Sequence, residues 1–201
     1  MTSYHHGNLR EELVRAAVGL AREKGEAGVV LRETARLTGV SHNAAYRHFA
    51  DREELLAEVA RAGLADLASA MAERLADPGG GSAADRARRR LREIGRAYVH
   101  FALREPGLFG VVFAVHTPPG PDEGPEANPY ALLGQALDEM VEAGAMLPER
   151  RPGAETVCWS AVHGFAVLHL DGPLRDLPAA EREAELDRML AAVERGLGEP
   201  S

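Results

Sequence analysis

Cysteine is nearly missing from this 201-residue chain: Cys158 stands alone, which leaves no internal disulfide and no cysteine-built zinc site. Aromatic residues make up only 5%. No run of about 18 uncharged apolar residues occurs, so no transmembrane helix is expected. The opening Met1-Thr2-Ser3-Tyr4-His5-His6 lacks the apolar stretch of a signal peptide, and a cytoplasmic protein is expected. Alternating runs rich in Val, Ile and Thr are missing, which argues against strands. Catalytic signatures are scarce as well. There is no Gly-x-Ser-x-Gly and no His-Glu-x-x-His, and Gly79-Gly80-Gly81-Ser82 has neither a preceding strand nor a lysine to make a phosphate loop. The chain is read as a non-enzyme with no cofactor and no metal. The competing reading is a small helical enzyme or metal sensor built on Cys158, His163 and His169.

Apolar residues (45%) and charged residues (27%) stand in the proportion of an ordinary globular protein. Ala, Leu, Glu and Arg dominate, and the spacing predicts an all-α fold of about nine helices. The first, about Asn8–Lys24, repeats Leu9, Leu13, Ala16, Ala17 and Leu20 on one face and ends at Gly25 and Gly28. Two short segments follow, Leu31–Thr38 and Ser41–Phe49. Asp51-Arg52-Glu53-Glu54 matches a capping box and opens a long helix to about Ala76. Ser82 is a candidate cap for the next helix, which is interrupted at Glu105-Pro106-Gly107. A short apolar helix, about Leu108–His116, comes next, and residues 117–129, with five prolines and two glycines, read as a surface loop. Asn128-Pro129 starts a helix to about Gly144, and the last two are expected at Ala154–Leu170 and Ala179–Gly196.

The net charge of −8 argues against nucleic acid until it is divided. Residues 1–50 hold 7 Lys/Arg against 5 Asp/Glu with four histidines, a balance of +2; residues 51–201 hold 16 against 26, a balance of −10. A basic head on an acidic body suggests two tasks in one chain.

Residues 31–49 carry the sharpest pattern: a helix, Gly39-Val40 as a turn, and Ser41 capping a second helix. Gly39 can adopt the left-handed backbone of a tight turn, Ala35 permits close approach, and Leu37 and Val40 are expected to close the corner. The second helix displays Ser41, His42 and Asn43 at its start, short polar side chains suited to base edges in a major groove. Tyr46, Arg47 and His48 lie one turn on, with Tyr46 and Arg47 suited to phosphates; Arg52 at the start of the next helix suits another phosphate, and Arg32 and His48 are further candidate DNA contacts. The arm Tyr4-His5-His6 with Arg10 is expected along the DNA backbone or in the minor groove. Packing inside the head competes with DNA contact for Tyr46 and His48, and Phe49 is read as core.

These residues resemble a known family. Gly39-Val40-Ser41, Tyr46-Arg47-His48-Phe49 and Asp51-Arg52-Glu53-Glu54-Leu55-Leu56 are similar to the N-terminal domain of TetR/AcrR-type bacterial transcriptional regulators. Trp159 with His163-Gly164 resembles the pattern of its WHG-type C-terminal domain. Val30 departs from the usual Ser or Thr cap, Thr34 from an aliphatic residue, Ala45 from a bulkier apolar one and Arg52 from lysine. The resemblance implies a helix-turn-helix DNA-binding domain over residues 1–50 and an effector-binding and dimerisation domain over 51–201. It implies a homodimer that binds a palindromic double-stranded operator, acts as a repressor and is released by a small, mainly apolar effector.

The helix from Ala154 is apolar on two sides, Trp159, Val162, Ala166 and Leu170 on one, Val157, Ala161, Phe165 and Leu168 on the other. In a chain this short the second side is expected to meet another subunit. With Leu186, Leu190 and Val193 of the last helix, Val157, Ala161, Phe165 and Leu168 are the expected dimer surface. Phe101, Phe109, Phe113, His116, Trp159 and His163 are the expected effector contacts, with hydrophobic core the competing reading for each ring and a subunit contact that for His163.

Overall fold

The computed structural model describes residues 9–75, 79–114 and 128–198. Among these the regular elements are all helical: α1 (Leu9–Gly28), α2 (Leu31–Leu37), α3 (His42–Ala45), α4 (Arg52–Arg74), α5 (Ala83–Arg104), α6 (Pro106–Ala114), α7 (Pro129–Glu142), α8 (Ala154–Leu170) and α9 (Ala179–Leu197), with a 3-10 turn at Pro148–Arg150. The all-α expectation is met, and α8 has the expected bounds. No helix among the described residues is long and apolar enough to cross a membrane. Packing divides the chain into two compact units: Met1–Asp66 with Glu105–Pro121, and Leu67–Arg104 with Asp122–Ser201. Helix α4 supplies residues to both.

In the first unit, local chemistry sets each boundary. Gly25 breaks α1 with a left-handed φ of 64°. Gly39, at φ 70°, turns the chain between α2 and α3. The Ser41 hydroxyl accepts the Ala44 amide at 3.2 Å and caps α3, whereas Val30 offers α2 no side-chain cap. Thr34 is fully buried, and its hydroxyl donates to the Val30 carbonyl at 3.0 Å, so a polar group enters the core already satisfied. The Asp51 carboxylate accepts the Glu54 amide at 2.8 Å, as the sequence foresees at the start of α4, while the Glu54 carboxylate reaches back one residue further than a capping box requires and accepts the Ala50 amide at 2.7 Å. Phe49, Leu13, Ala45 and Leu55 are fully buried. Leu37 is the exception: half its surface is exposed, so Val40 and Ala35, not Leu37, close the corner. Helix α6 packs on α1 at backbone distance, because a Cβ on Gly107 would overlap the Ala21 carbonyl oxygen.

In the second unit α5 lies against α7, α8 and α9. Ser82 and Asp85 exchange bonds of 3.1 Å to each other's amides at its start. Asn128 accepts the Tyr130 amide at 2.9 Å to cap α7, with Pro129 at the first helical position. Leu91, Ile94, Tyr98 and Phe101 form the buried face of α5. Gly95 on that face leaves room for Leu190 of α9, whose Cδ2 would lie 2.6 Å from an added Cβ.

Candidate nucleic-acid interface and ligand cavity

Helix α3 is held by its apolar side and presents the rest outward. Ala45 and Phe49 are buried, while Ser41, His42, Asn43, Tyr46 and Arg47 are exposed and His48 is half-buried. The rings of His42 and Tyr46, one turn apart, meet edge-on with centroids 4.5 Å apart. Arg32 on α2 is exposed too, and neither it nor Arg47 has an ion-pair partner among the described residues. The structure therefore brings Ser41, His42, Asn43, Tyr46 and Arg47 together on α3, its cap and the turn that follows it. Tyr4, His5 and His6 lie outside the described residues.

Two cations expected at phosphates have other occupations. Arg52 donates from Nε to the Val29 carbonyl at 2.8 Å and from Nη2 to the Glu26 carbonyl at 2.6 Å, with Glu26 Oε1 3.3 Å from Nη1. The reason lies at the end of α1, where terminal carbonyls need donors and Arg52 supplies them. Arg10 donates to Glu58 at 2.8 Å, lies 3.6 Å from Glu54 and covers the Phe49 ring at 4.9 Å. It is a strap between α1 and α4. In sequence, a glycine-terminated helix followed by an arginine opening another was the available sign of the Arg52 tie.

The expected subunit surface divides. Val157 (53% exposed) and Leu168 (43%) lie on the outside of α8, with Ala161 half-buried between them, and Val167 (42%) extends the patch. Phe165 faces inward, stacked on the buried His169 ring with centroids 4.1 Å apart. Leu186 and Leu190 are also corrected: both are buried within the single chain, because the apolar stripe of α9 faces α5 and α8. Val193 is half-buried and lines a partly open cavity.

That cavity lies inside the second unit and has a volume of about 30 Å³, room for on the order of two waters. Its walls come from α4, α5, α7, α8 and α9, among them Met71, Ile94, Tyr98, Leu133, Cys158, Trp159 and Val162. Trp159 is thus at the cavity as expected. His163 stands behind Tyr98, 2.9 Å from hydroxyl oxygen to Nδ1. Burial raises the Tyr98 pKa and lowers that of His163, so at neutral pH the two share this hydrogen bond with both groups uncharged. Phe101 is buried in the same unit but does not line the cavity, while Phe109 and Phe113 pair with each other in the first unit at 4.7 Å. They share a chain segment with Phe101, but the turn at Glu105 sends them to another core. His116 lies outside the described residues. Burial, with Glu155 adding, pushes the Cys158 thiol up to about 11, which keeps it protonated and poorly nucleophilic. Among the described residues no three His, Cys, Asp or Glu side chains converge as metal ligands.

Two family models match the chain. The sequence model "Bacterial regulatory proteins, tetR family" matches residues 13–59, and "Tetracyclin repressor-like, C-terminal domain" matches residues 91–193. An uncharacterized HTH-type transcriptional regulator of Bacillus subtilis (strain 168), YobS, is 26% identical over 163 residues, 81% of this chain and 79% of that one. A protein with unknown function from Rhodococcus sp. RHA1 is 31% identical, with a TM-score of 0.77 over 99% of this chain and 100% of that chain. A TetR variant from Acinetobacter baumannii AYE, in complex with minocycline, shares the fold at 20% identity and a TM-score of 0.64, covering 98% of this chain and 100% of that one.

Proposed function

Because the chain belongs to the TetR family of bacterial regulatory proteins, we propose that it is a ligand-responsive repressor, released from a palindromic operator by a small, mainly apolar effector. Residues 1–50 are the reader and residues 51–201 the effector-binding and dimerisation part. The observation that carries the reading is the outward face of α3, where Ser41, His42, Asn43, Tyr46 and Arg47 have no task inside the protein's core. Asn43 suits adenine and His42 other base edges; Tyr46, Arg47 and Arg32 suit phosphates.

A homodimer is supported by the exposed Val157, Val167 and Leu168 on α8, large apolar side chains that a monomer would leave in water. Twofold symmetry would place two α3 helices one DNA turn, about 34–36 Å, apart. Effector binding is supported by the cavity lined mainly by apolar side chains and by the minocycline complex of the A. baumannii relative. A molecule that fits only one arrangement of the dimer shifts the population toward it, and operator affinity falls by the same coupling energy. A gel shift with the DNA upstream of the protein's own gene tests the reading. A salt-sensitive complex that Tyr46→Ala abolishes supports it, and the lack of any complex refutes it.

A further inference from the structure

Three aromatic rings run in file from the surface of the second unit to its cavity. Tyr130, half exposed at the start of α7, lies 5.9 Å from Trp159 between ring centroids. Trp159, half-buried, meets the fully buried Tyr98 edge-on at 5.2 Å. Trp159 therefore touches the cavity on one side and an exposed ring on the other. The cavity of about 30 Å³ is partly open to solvent and far smaller than a typical ligand site of about 300–1,000 Å³, so its lining has to rearrange before it holds anything much larger than water. Of the lining side chains, Trp159 has an exposed aromatic neighbour to swing toward, and an indole turns as one rigid plate.

The walls also define what fits. Arg92 supplies the cavity's charge, and Glu194 neutralises it at 3.1 Å. Met71, Ile94, Leu133 and Val162 offer an ion nothing, and burial disfavours the charged forms of both Tyr98 and His163. We propose that Trp159 is the door of the effector cavity, and that the effector is an uncharged, planar aromatic molecule that displaces Trp159 toward Tyr130 and packs against Tyr98. This rests on the reading of the chain as a ligand-responsive regulator.

Trp159 is the chain's one tryptophan, so its indole N–H proton resonance reports the door directly. The full-length protein is titrated with naphthol, its anionic counterpart naphthoate and its saturated counterpart decalol, with affinity read by calorimetry. Naphthol is expected to bind saturably and shift the Trp159 indole N–H resonance, with both counterparts about tenfold weaker or more, because one loses charge solvation and the other the ring contacts. Val162→Ile adds a methylene to the cavity wall and should weaken naphthol about tenfold while helical circular dichroism is unchanged. Val193→Ile, on α9, is the second filling variant should the first unfold. Absence of saturable naphthol binding overturns the proposal, as does equal affinity for naphthoate or decalol, or naphthol binding that neither the indole resonance nor a folded filling variant registers. A gel shift of the ligand-free protein run in parallel separates the two readings: no operator complex without naphthol, with naphthol binding intact, refutes the regulator and leaves the door standing.

Discussion

Replacing Gly107 by alanine adds a single methyl at the point where α6 meets α1. That methyl would overlap the Ala21 carbonyl oxygen, lie 2.9 Å from the Arg22 carbonyl oxygen and 3.2 Å from the Gly25 amide nitrogen. All three are backbone atoms, so no side-chain rotation relieves the clash and α6 has to move off α1. Overpacking of this kind costs about 1–3 kcal/mol, and a backbone obstacle belongs at the upper end. The gain in helix propensity on exchanging Gly for Ala, up to about 1 kcal/mol, offsets part, leaving a net loss of about 2 kcal/mol. For a chain of this size that lowers Tm by roughly 4–8 °C, at about 2–4 °C per kcal/mol. Gly110 on the same helix is the internal control. An added Cβ there meets nothing within 4 Å, so Gly110→Ala keeps the propensity gain and should raise Tm by about 2–4 °C. Thermal melts followed by circular dichroism compare the two. A Gly107→Ala variant as stable as the parent, or a Gly110→Ala variant that loses stability, would refute this account of the α1–α6 contact.

Other expectations concern the interface, the charges and the cavity. Asn43→Ala should lose about 1–3 kcal/mol of discrimination at one base pair of each half-site, measured by competition between operator variants. Leu168→Lys should yield a folded monomer by light scattering, whereas Leu186→Lys, placing a charge at a fully buried site, should yield little folded protein. Arg52→Met should lower urea stability by about 1–3 kcal/mol without DNA present, because two carbonyls at the end of α1 lose their charged donor. His163 has a folded pKa below its unfolded value of about 6.5, so the unfolded chain binds the proton first and stability should fall as pH drops through that value. His163→Gln should flatten this part of the pH profile.

Much of the fold was legible because its signals are local. Ser41, Asp51 with Glu54, Ser82 and Asn128 cap helices in the expected way, and Gly25 and Gly39 break or turn the chain where a left-handed residue is needed. The exposed face of α3 was legible for the same reason. Direction was not. Periodicity identified Leu186 and Leu190 as one buried stripe but carried no information on whether the cover was α5 or another subunit. Gly107 read as a helix breaker, though it also permits a close crossing between segments more than 80 residues apart. The cavity draws on five helices, and Leu133, Cys158 and Val162 belong to it through tertiary placement that no single-helix pattern encodes.

The internal duties of Arg10 and Arg52 bear on how the protein searches a genome. Each phosphate neutralised by a protein cation releases counterions and adds about −0.9 to the slope of log affinity against log salt. With Arg10 strapped to Glu58, Arg52 bound to carbonyls and Arg36 paired with Glu33, Arg32 and Arg47 are the exposed arginines of α2 and the α3 region without an ion-pair partner among the described residues. If these two arginines carry the phosphate contacts of the proposed reader, the predicted salt slope is about −2, and titrating operator and random DNA across salt concentrations measures it.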